Sequence, residues 1–299
     1  MYDPSDPRAT LQKTASQVPA ASEFSEADYV RFYAEPPQIS DDNRRTWYAR
    51  GQNFVIEYTE LAGELTLERT GQADEYVLYL PGEGITAVVS TPSERAEANG
   101  RSLVIVPPGD STVTVRGEGR VIRMLSHRAE DLTAMAANAQ AYATAHLNLA
   151  PLVPWPAPVD GYRVRVYDLS GPAPAKPGFR VFRCTTFMVN IFEPSAGPRD
   201  ANRLSPHSHD DFEQCSFVMQ GEFIHHLRWP WTTRRSAWRD DQHEPCAAPS
   251  VTVIPAQVIH TSQSVASETN QMLDIFSPPR LDFSLKEGWV VNADEYPLP

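Results

Sequence analysis

Positive charge is scarce in this chain. Its 26 Lys and Arg residues stand against 38 Asp and Glu, a formal charge of −12, and the isoelectric point is near 5.1. Nucleic acid and anionic membrane both require basic surface, so neither is expected as a partner. Cysteine is also sparse. Cys184, Cys215 and Cys246 form no CxxC pair and their number is odd, which suits a reducing compartment. Long apolar runs are missing. None approaches the roughly 18 residues that span a bilayer, and the opening "MYDPSDPRATLQKTASQ" has no apolar centre like that of a signal peptide. A cytoplasmic location is the expectation. There is no G-x-S-x-G elbow, no P-loop lysine motif and no G-x-G-x-x-G; "PGEG" and "RGEGR" are hairpin turns. Serine-hydrolase and nucleotide-dependent chemistry therefore have no support.

Glycine numbers 15 against 27 prolines, and the apolar runs between prolines are short, a pattern of strands and turns. The 299 residues, 41% hydrophobic, can bury a sizeable core and fill two ordinary domains. Residues 1–45 are expected to be a polar arm with a short helix at 25–35, capped by Ser25 with Glu26 and Asp28 in its first turn. Residues 46–128 read as strands: "TWYARGQNFVIEYTELAGELTLERT" alternates and turns at Ala62-Gly63, followed by "EYVLYLPGEG", "RSLVIVPPGDSTVTV" and "GRVIRMLSHR". The proline- and glycine-free stretch 129–149 predicts a helix. Pro151, Pro154, Pro156 and Pro158 then make a stiff linker, so 129–159 separates the halves. Strands resume over 160–299. "DEYVLYLPGEG", "RSLVIVPPGDSTVTV" and "VIRMLSHR" recur in pattern as "FEQCSFVMQGEF", "PSVTVIPAQVIHTSQSV" and "LDIFSPPR", which suggests two similar domains.

The chemistry gathers in "SPHSHDDFEQCSFVMQGEF" (205–223). On a strand, His207 and His209 share one face. Glu213 can swing to the same level, and Gly221 ends the next strand with a tight turn. His260, after the Pro255 turn, supplies a further imidazole. Three neutral imidazoles and one carboxylate suit a divalent first-row metal. Of the eight histidines, six (207, 209, 225, 226, 243 and 260) fall within this region. In the first half the corresponding positions hold Arg69, Gly71, Asp74 or Glu75, and Thr112, which predicts a metal-free barrel.

His207, His209, Glu213, Gly221, Pro255 and His260 resemble the two motifs of the cupin superfamily, in its two-barrel (bicupin) form. The resemblance implies an all-β protein. Two antiparallel cupin-like barrels (double-stranded β-helices) would be joined by the helix and proline linker, with one metal in the C-terminal barrel. It implies a metal-dependent enzyme, foremost an Fe(II) dioxygenase of a small aromatic or dicarbonyl/carboxylate compound. Mn, Ni or Zn would instead give a Lewis-acid isomerase, lyase or decarboxylase, and a non-catalytic binding or sensing role is the third reading. Glu213 and His226 are the candidate catalytic groups; at most one of His225 and His226 can face the interior, and alternation alone leaves open which. The insert 228–249, with Trp229, Trp231, Trp238 and four arginines, reads either as a flap or interface or as a lid that recognises a planar or anionic substrate through Trp231 and Arg235. A homodimer or higher homo-oligomer is expected.

Overall fold

Alternation in the first half is the two-residue period of a strand buried on both faces. In Phe54–Gln72 the even positions Phe54, Ile56 and Tyr58 join a core shared with the second half, whereas Val55 and Leu61 face the interior of their own barrel. The computed structural model describes residues 6–12, 22–146, 148–174 and 178–299. Most of the arm 1–22 therefore lies outside the described residues. The fold is all-β and antiparallel, as expected. Phe54–Gln72 pairs along its length with Gly109–Ser126, from Phe54↔Ser126 to Gln72↔Gly109. Tyr76–Leu80, Ile85–Ser90, Ser102–Val106 and Arg44–Arg50 complete the first barrel around this ribbon.

The second barrel faces two sheets together. One carries Ser250–Ile254, Gln214–Gln220, Thr269–Phe276, Met188–Phe192 and Phe179–Arg183; the other carries Gln242–Ala247, Glu222–Arg228 and Ile259–Ser264. Between the barrels lies one continuous core in which Ile56, Tyr58 and Met124 meet Phe217, Leu273 and Ile275. Tyr58 stacks on Phe32 at 5.5 Å and meets Phe217 edge-on at 5.6 Å. Sheet pairing also crosses the boundaries read at 46 and 160. Asp28–Arg31 pairs with Ser250–Ile254 of the second barrel, and Arg165–Asp168 pairs with Ser102–Val106 of the first.

Three local expectations are corrected. The segment 25–35 is not a helix: Asp28–Arg31 is an edge strand, and the burial of Val30 and Phe32 in the shared core outweighs the capping signal at Ser25. Ala62-Gly63 is not a turn. It lies inside one 19-residue strand, where Gly63 stands opposite Gly117. A Cβ on Gly117 would sit 2.1 Å from the Gly84 carbonyl oxygen, so glycine serves close backbone approach. The turn instead falls at Gly51–Asn53, closed by Gly51 N–H to Phe54 O at 3.1 Å. The stretch 129–149 holds only a helical turn, Glu130–Thr133, and a 3-10 turn, Ala139–Tyr142. Asn138 breaks it: its side chain bonds the backbone N–H and C=O of Arg50, while Ala137 N–H bonds Tyr48 O. Tertiary bonds override alanine's helix propensity here.

Gly221, the expected tight turn between Gln214–Gln220 and Glu222–Arg228, has φ +77°. An added Cβ would lie 2.4 Å from Asn270 Oδ1 and 2.6 Å from Thr269 O. Gly221→Ala is expected to lower the unfolding free energy by about 1–3 kcal/mol in urea titration. Gly71→Ala, at φ +59° with nothing within 4 Å, should cost less; an equal loss at both positions would refute the crowding argument.

Candidate metal centre

His207 and His209 do not sit on a barrel strand. They lie on the extended segment before Gln214–Gln220, fixed by a single bridge to Ile259–Ser264. His207 and His260 exchange backbone bonds: His207 N–H to His260 O at 3.0 Å, and the reverse at 2.7 Å. Gln257 N–H bonds His209 O at 2.6 Å, so the turn after Pro255 holds the second imidazole as well. The three rings form a triangle with centroids 4.4, 5.0 and 5.1 Å apart. Their nitrogens lie within 4.8 Å of one another. Among the described residues no other group of three His, Cys, Asp or Glu converges in this way.

The fourth position departs from expectation. Glu213 is buried but points away from the triad, towards the junction of the barrels. Its Oε2 accepts the Gln52 backbone N–H at 2.7 Å, and its Oε1 lies 3.3 Å from both the Tyr142 hydroxyl and His146 Nδ1. Strand alternation is the reason. Cys215 and Phe217 pack into the shared core, so Glu213 shares their face and Cys215 is not beside the triad. Gln214 and Ser216 take the opposite face. Gln214 Oε1 stands 2.8 Å from His209 Nε2 and 3.2 Å from His260 Nε2. Gln214 Nε2 donates to Ser216 Oγ and Asp274 Oδ1, both at 2.9 Å, and the Ser216 hydroxyl donates to the same Asp274 oxygen at 2.8 Å. These bonds fix which way the amide points.

Electrostatics make the cluster acceptor-rich. Burial lowers all three imidazole pKa values: His207 and His209 well below the usual 6.5, with the neighbouring imidazoles and arginines opposing a further charge, and His260 to about 4. All three rings are neutral at pH 7. His260 Nδ1 lies 2.9 Å from the Val258 carbonyl and therefore carries the hydrogen, leaving a lone pair on Nε2. That lone pair faces the lone pairs of Gln214 Oε1. Two acceptors 3.2 Å apart with no proton between them are mutually repulsive, and a cation resolves the conflict. Donors at a right angle on one ion, with bonds of about 2.1 Å, are about 3 Å apart, so the Gln214 distances fit. His207 Nδ1 likewise bonds Ser205 O at 2.9 Å. The residues present thus suit a divalent metal held by His207, His209, His260 and Gln214.

Gln214 was not singled out by the sequence reading, although apolar residues at 215, 217 and 219 against polar ones at 214 and 216 carry the signal. Asp274 was missed too; burial raises its carboxyl pKa to about 6 against the hydrogen bonds from Ser216 and Gln214. His207, His260, Gln214 and Asp274 open into a cavity of about 360 Å³, whose wall includes Arg8 and Arg199.

The other sequence-derived candidates lie elsewhere. His225 faces inward and His226 outward: His225 is buried against Ser262 Oγ at 2.8 Å, while His226 contacts His243 and Gln263. Neither Trp231 nor Arg235 lines the cavity. Trp231 is 75% exposed and stacks on Trp238 at 4.3 Å. Trp229 is buried, and Arg234 and Arg239 pair with Glu23 and Glu26, so the insert 228–249 packs on segment 23–26.

No protein-family model and no curated protein matches the sequence. Solved structures do share the fold. AerE from Microcystis aeruginosa superposes with TM-score 0.51 at 9% identity, over 87% of this chain and all of that one. A formate complex of oxalate decarboxylase from Lactobacillus farciminis gives 0.52 at 12% identity, over 91% and 89%. The 7S globulin of Momordica charantia gives 0.53 at 10% identity, over 84% of each. The chain has the cupin fold of these neighbours. No helix is long and apolar enough to cross a membrane among the described residues.

A buried neutral imidazole takes up a proton on unfolding below its usual pKa. His260 therefore contributes a stability that is present above about 6.5 and lost as pH falls towards about 4. In metal-free protein, His260→Gln is expected to flatten the acid limb of urea stability across that window. An unchanged slope would mean that His260 is not held neutral.

Proposed function

We propose that the protein is a metal-dependent enzyme with its metal in the second barrel, acting as a non-redox lyase, isomerase or decarboxylase on a small carboxylate. The observation that carries this reading is Gln214 in the position expected for Glu213. Three imidazoles and an amide oxygen are all neutral, so a bound divalent ion keeps its full charge for the substrate and supplies Lewis-acid polarisation of a carboxylate or carbonyl oxygen. An anionic ligand would favour the more highly charged states of iron that oxygen chemistry visits. Its displacement from the site weakens the Fe(II) dioxygenase reading in favour of Mn, Ni or Zn.

The chain's own residues complete the site. Arg8 in the cavity wall is paired with Asp6, whereas Arg199, bonded to the Ser262 and Arg203 carbonyls, brings positive charge there that can seat a carboxylate. Asp274, with a pKa near 6, can hold a proton at Oδ2 while Oδ1 keeps its bonds to Gln214 and Ser216. Phe212 stacks on His209 at 4.8 Å and Phe276 closes edge-on at 5.5 Å, which keeps water from that side of the triad. The cavity volume restricts the substrate to a small molecule.

Protein stripped of metal and reloaded separately with Mn²⁺, Ni²⁺, Zn²⁺ and anaerobic Fe²⁺ should be offered hydroxy-carboxylates, β-keto acids, dicarboxylates and uronates. Oxygen is followed by electrode and products by mass. The expected result is turnover of one carboxylate class without oxygen uptake, supported by more than one ion. Arg199→Met should raise KM about tenfold or more and leave metal content unchanged. Turnover that consumes oxygen and requires Fe²⁺ would overturn the proposal.

A further inference from the structure

The geometry points to a second metal-binding site, on the outer face of the three-stranded sheet, built from His226 and His243 and suited to Cu²⁺ or Ni²⁺. It is separate from the triad. Strand Glu222–Arg228 runs between Gln242–Ala247 and Ile259–Ser264, and His226 stands directly opposite His243. His225, its neighbour in sequence, takes the inner face, so His226 and His243 both take the outer one. Their Nδ1 atoms are 2.8 Å apart.

The tautomer of His226 is set from the far side of its ring. Nε2 lies 3.1 Å from Gln263 Oε1, a carbonyl oxygen that can only accept, so Nε2 carries the hydrogen and Nδ1 the lone pair. Without metal, His243 Nδ1–H donates to that lone pair. On metal binding His243 passes to its other neutral tautomer, releasing the Nδ1 proton to water and taking one from water at Nε2, and a small rotation of both rings turns the two Nδ1 lone pairs towards the ion. Two metal–nitrogen bonds of about 2.05 Å at a right angle hold the nitrogens about 2.9 Å apart, whereas tetrahedral geometry needs about 3.3 Å. The hydrogen-bonded 2.8 Å needs to open only slightly for the right angle of tetragonal Cu²⁺ and Ni²⁺, and further for tetrahedral Zn²⁺. Asp241, held by Arg228 Nε at 2.9 Å, lines the same small hollow but does not converge with the pair, so the two imidazoles are the site's protein donors. Remaining positions would take water or an external donor.

The test uses the full chain. Cu²⁺ is added to wild type, His226→Gln, His243→Gln and His260→Ala; bound metal is counted after gel filtration, and the EPR spectrum is recorded. Wild type should bind one equivalent beyond that held by the triad, and this additional equivalent should show a superhyperfine pattern of two imidazole nitrogens. Both outer-face variants should lose that signal, and His260→Ala should keep it. Repeating the count with Ni²⁺ and Zn²⁺ should show the outer site retaining Ni²⁺ better. The inference is overturned if His243→Gln binds as many equivalents as wild type with the two-nitrogen signal intact. It is also overturned if wild type shows no such signal, or if Zn²⁺ is held there more tightly than Ni²⁺. Both variants lie on a solvent-reached face, and a melting curve within about two degrees of wild type confirms that they fold.

Discussion

The orientation of one buried amide decides what the second barrel can hold. Gln214 is clamped at its nitrogen by Asp274 and Ser216, so its oxygen has to face the imidazoles. Rotating the amide would set its oxygen against the Asp274 carboxylate and lose both nitrogen bonds. The backbone carbonyl of Val258 fixes His260 in the same manner. The result sets the His260 lone pair against a Gln214 oxygen that His209 Nε2–H can already bond, inside a buried cavity, which is costly for the protein alone and favourable around a cation. In the metal reading the site would owe its cation affinity to bonds one step removed from the ion, with Asp274 orienting the amide without being a ligand.

The residue next to it serves a different purpose. Glu213 gathers groups from three parts of the chain: the Gln52 turn of the first barrel, Tyr142 and His146 of the segment between the barrels, and its own strand. The His146 pKa is raised, chiefly by its bond to Glu213. Tyr142 also lies against Asp28, whose strand belongs to the second barrel's sheet. Adjacent residues at the head of one strand therefore divide the work: Gln214 faces the triad, and Glu213 ties the second barrel to the rest of the fold. This coupling, with the exchanged edge strands and the shared core, gives the first barrel a structural role although its corresponding positions hold no imidazoles. Glu75, for example, accepts bonds from Thr185 and from the Tyr296 hydroxyl, both of the second half.

Much of this was legible in the sequence. Short strands between prolines read directly as an all-β architecture, and His207, His209 and His260 could be grouped from the His-x-His spacing, the histidine after the Pro255 turn and the resemblance of the two motifs to a known pair. The error at Glu213 came from weighing charge above parity. A carboxylate is the more familiar ligand, but the apolar residues at 215, 217 and 219 had already assigned that face to the inter-barrel core. Alternation also separates His225 from His226 on the next strand but does not say which faces inward; burial gives that place to His225. The missing helix at 129–149 has a different cause. No local pattern tells that Asn138 will bond Arg50, 88 residues away. Edge-strand exchange at 28–31 and 165–168 is equally non-local, because each strand finds its partner only after both barrels exist.

The assignment of the fourth donor is decided by counting metal in two neighbouring variants. Protein stripped by chelator and reloaded with Mn²⁺, which an exposed pair of imidazoles holds poorly, should contain close to one equivalent per chain. Gln214→Leu should fall well below that, with its fold verified by melting. Glu213→Gln should retain the full equivalent while melting several degrees earlier. Loss of Mn²⁺ from Glu213→Gln with full retention by Gln214→Leu would contradict the account and restore the carboxylate as the ligand.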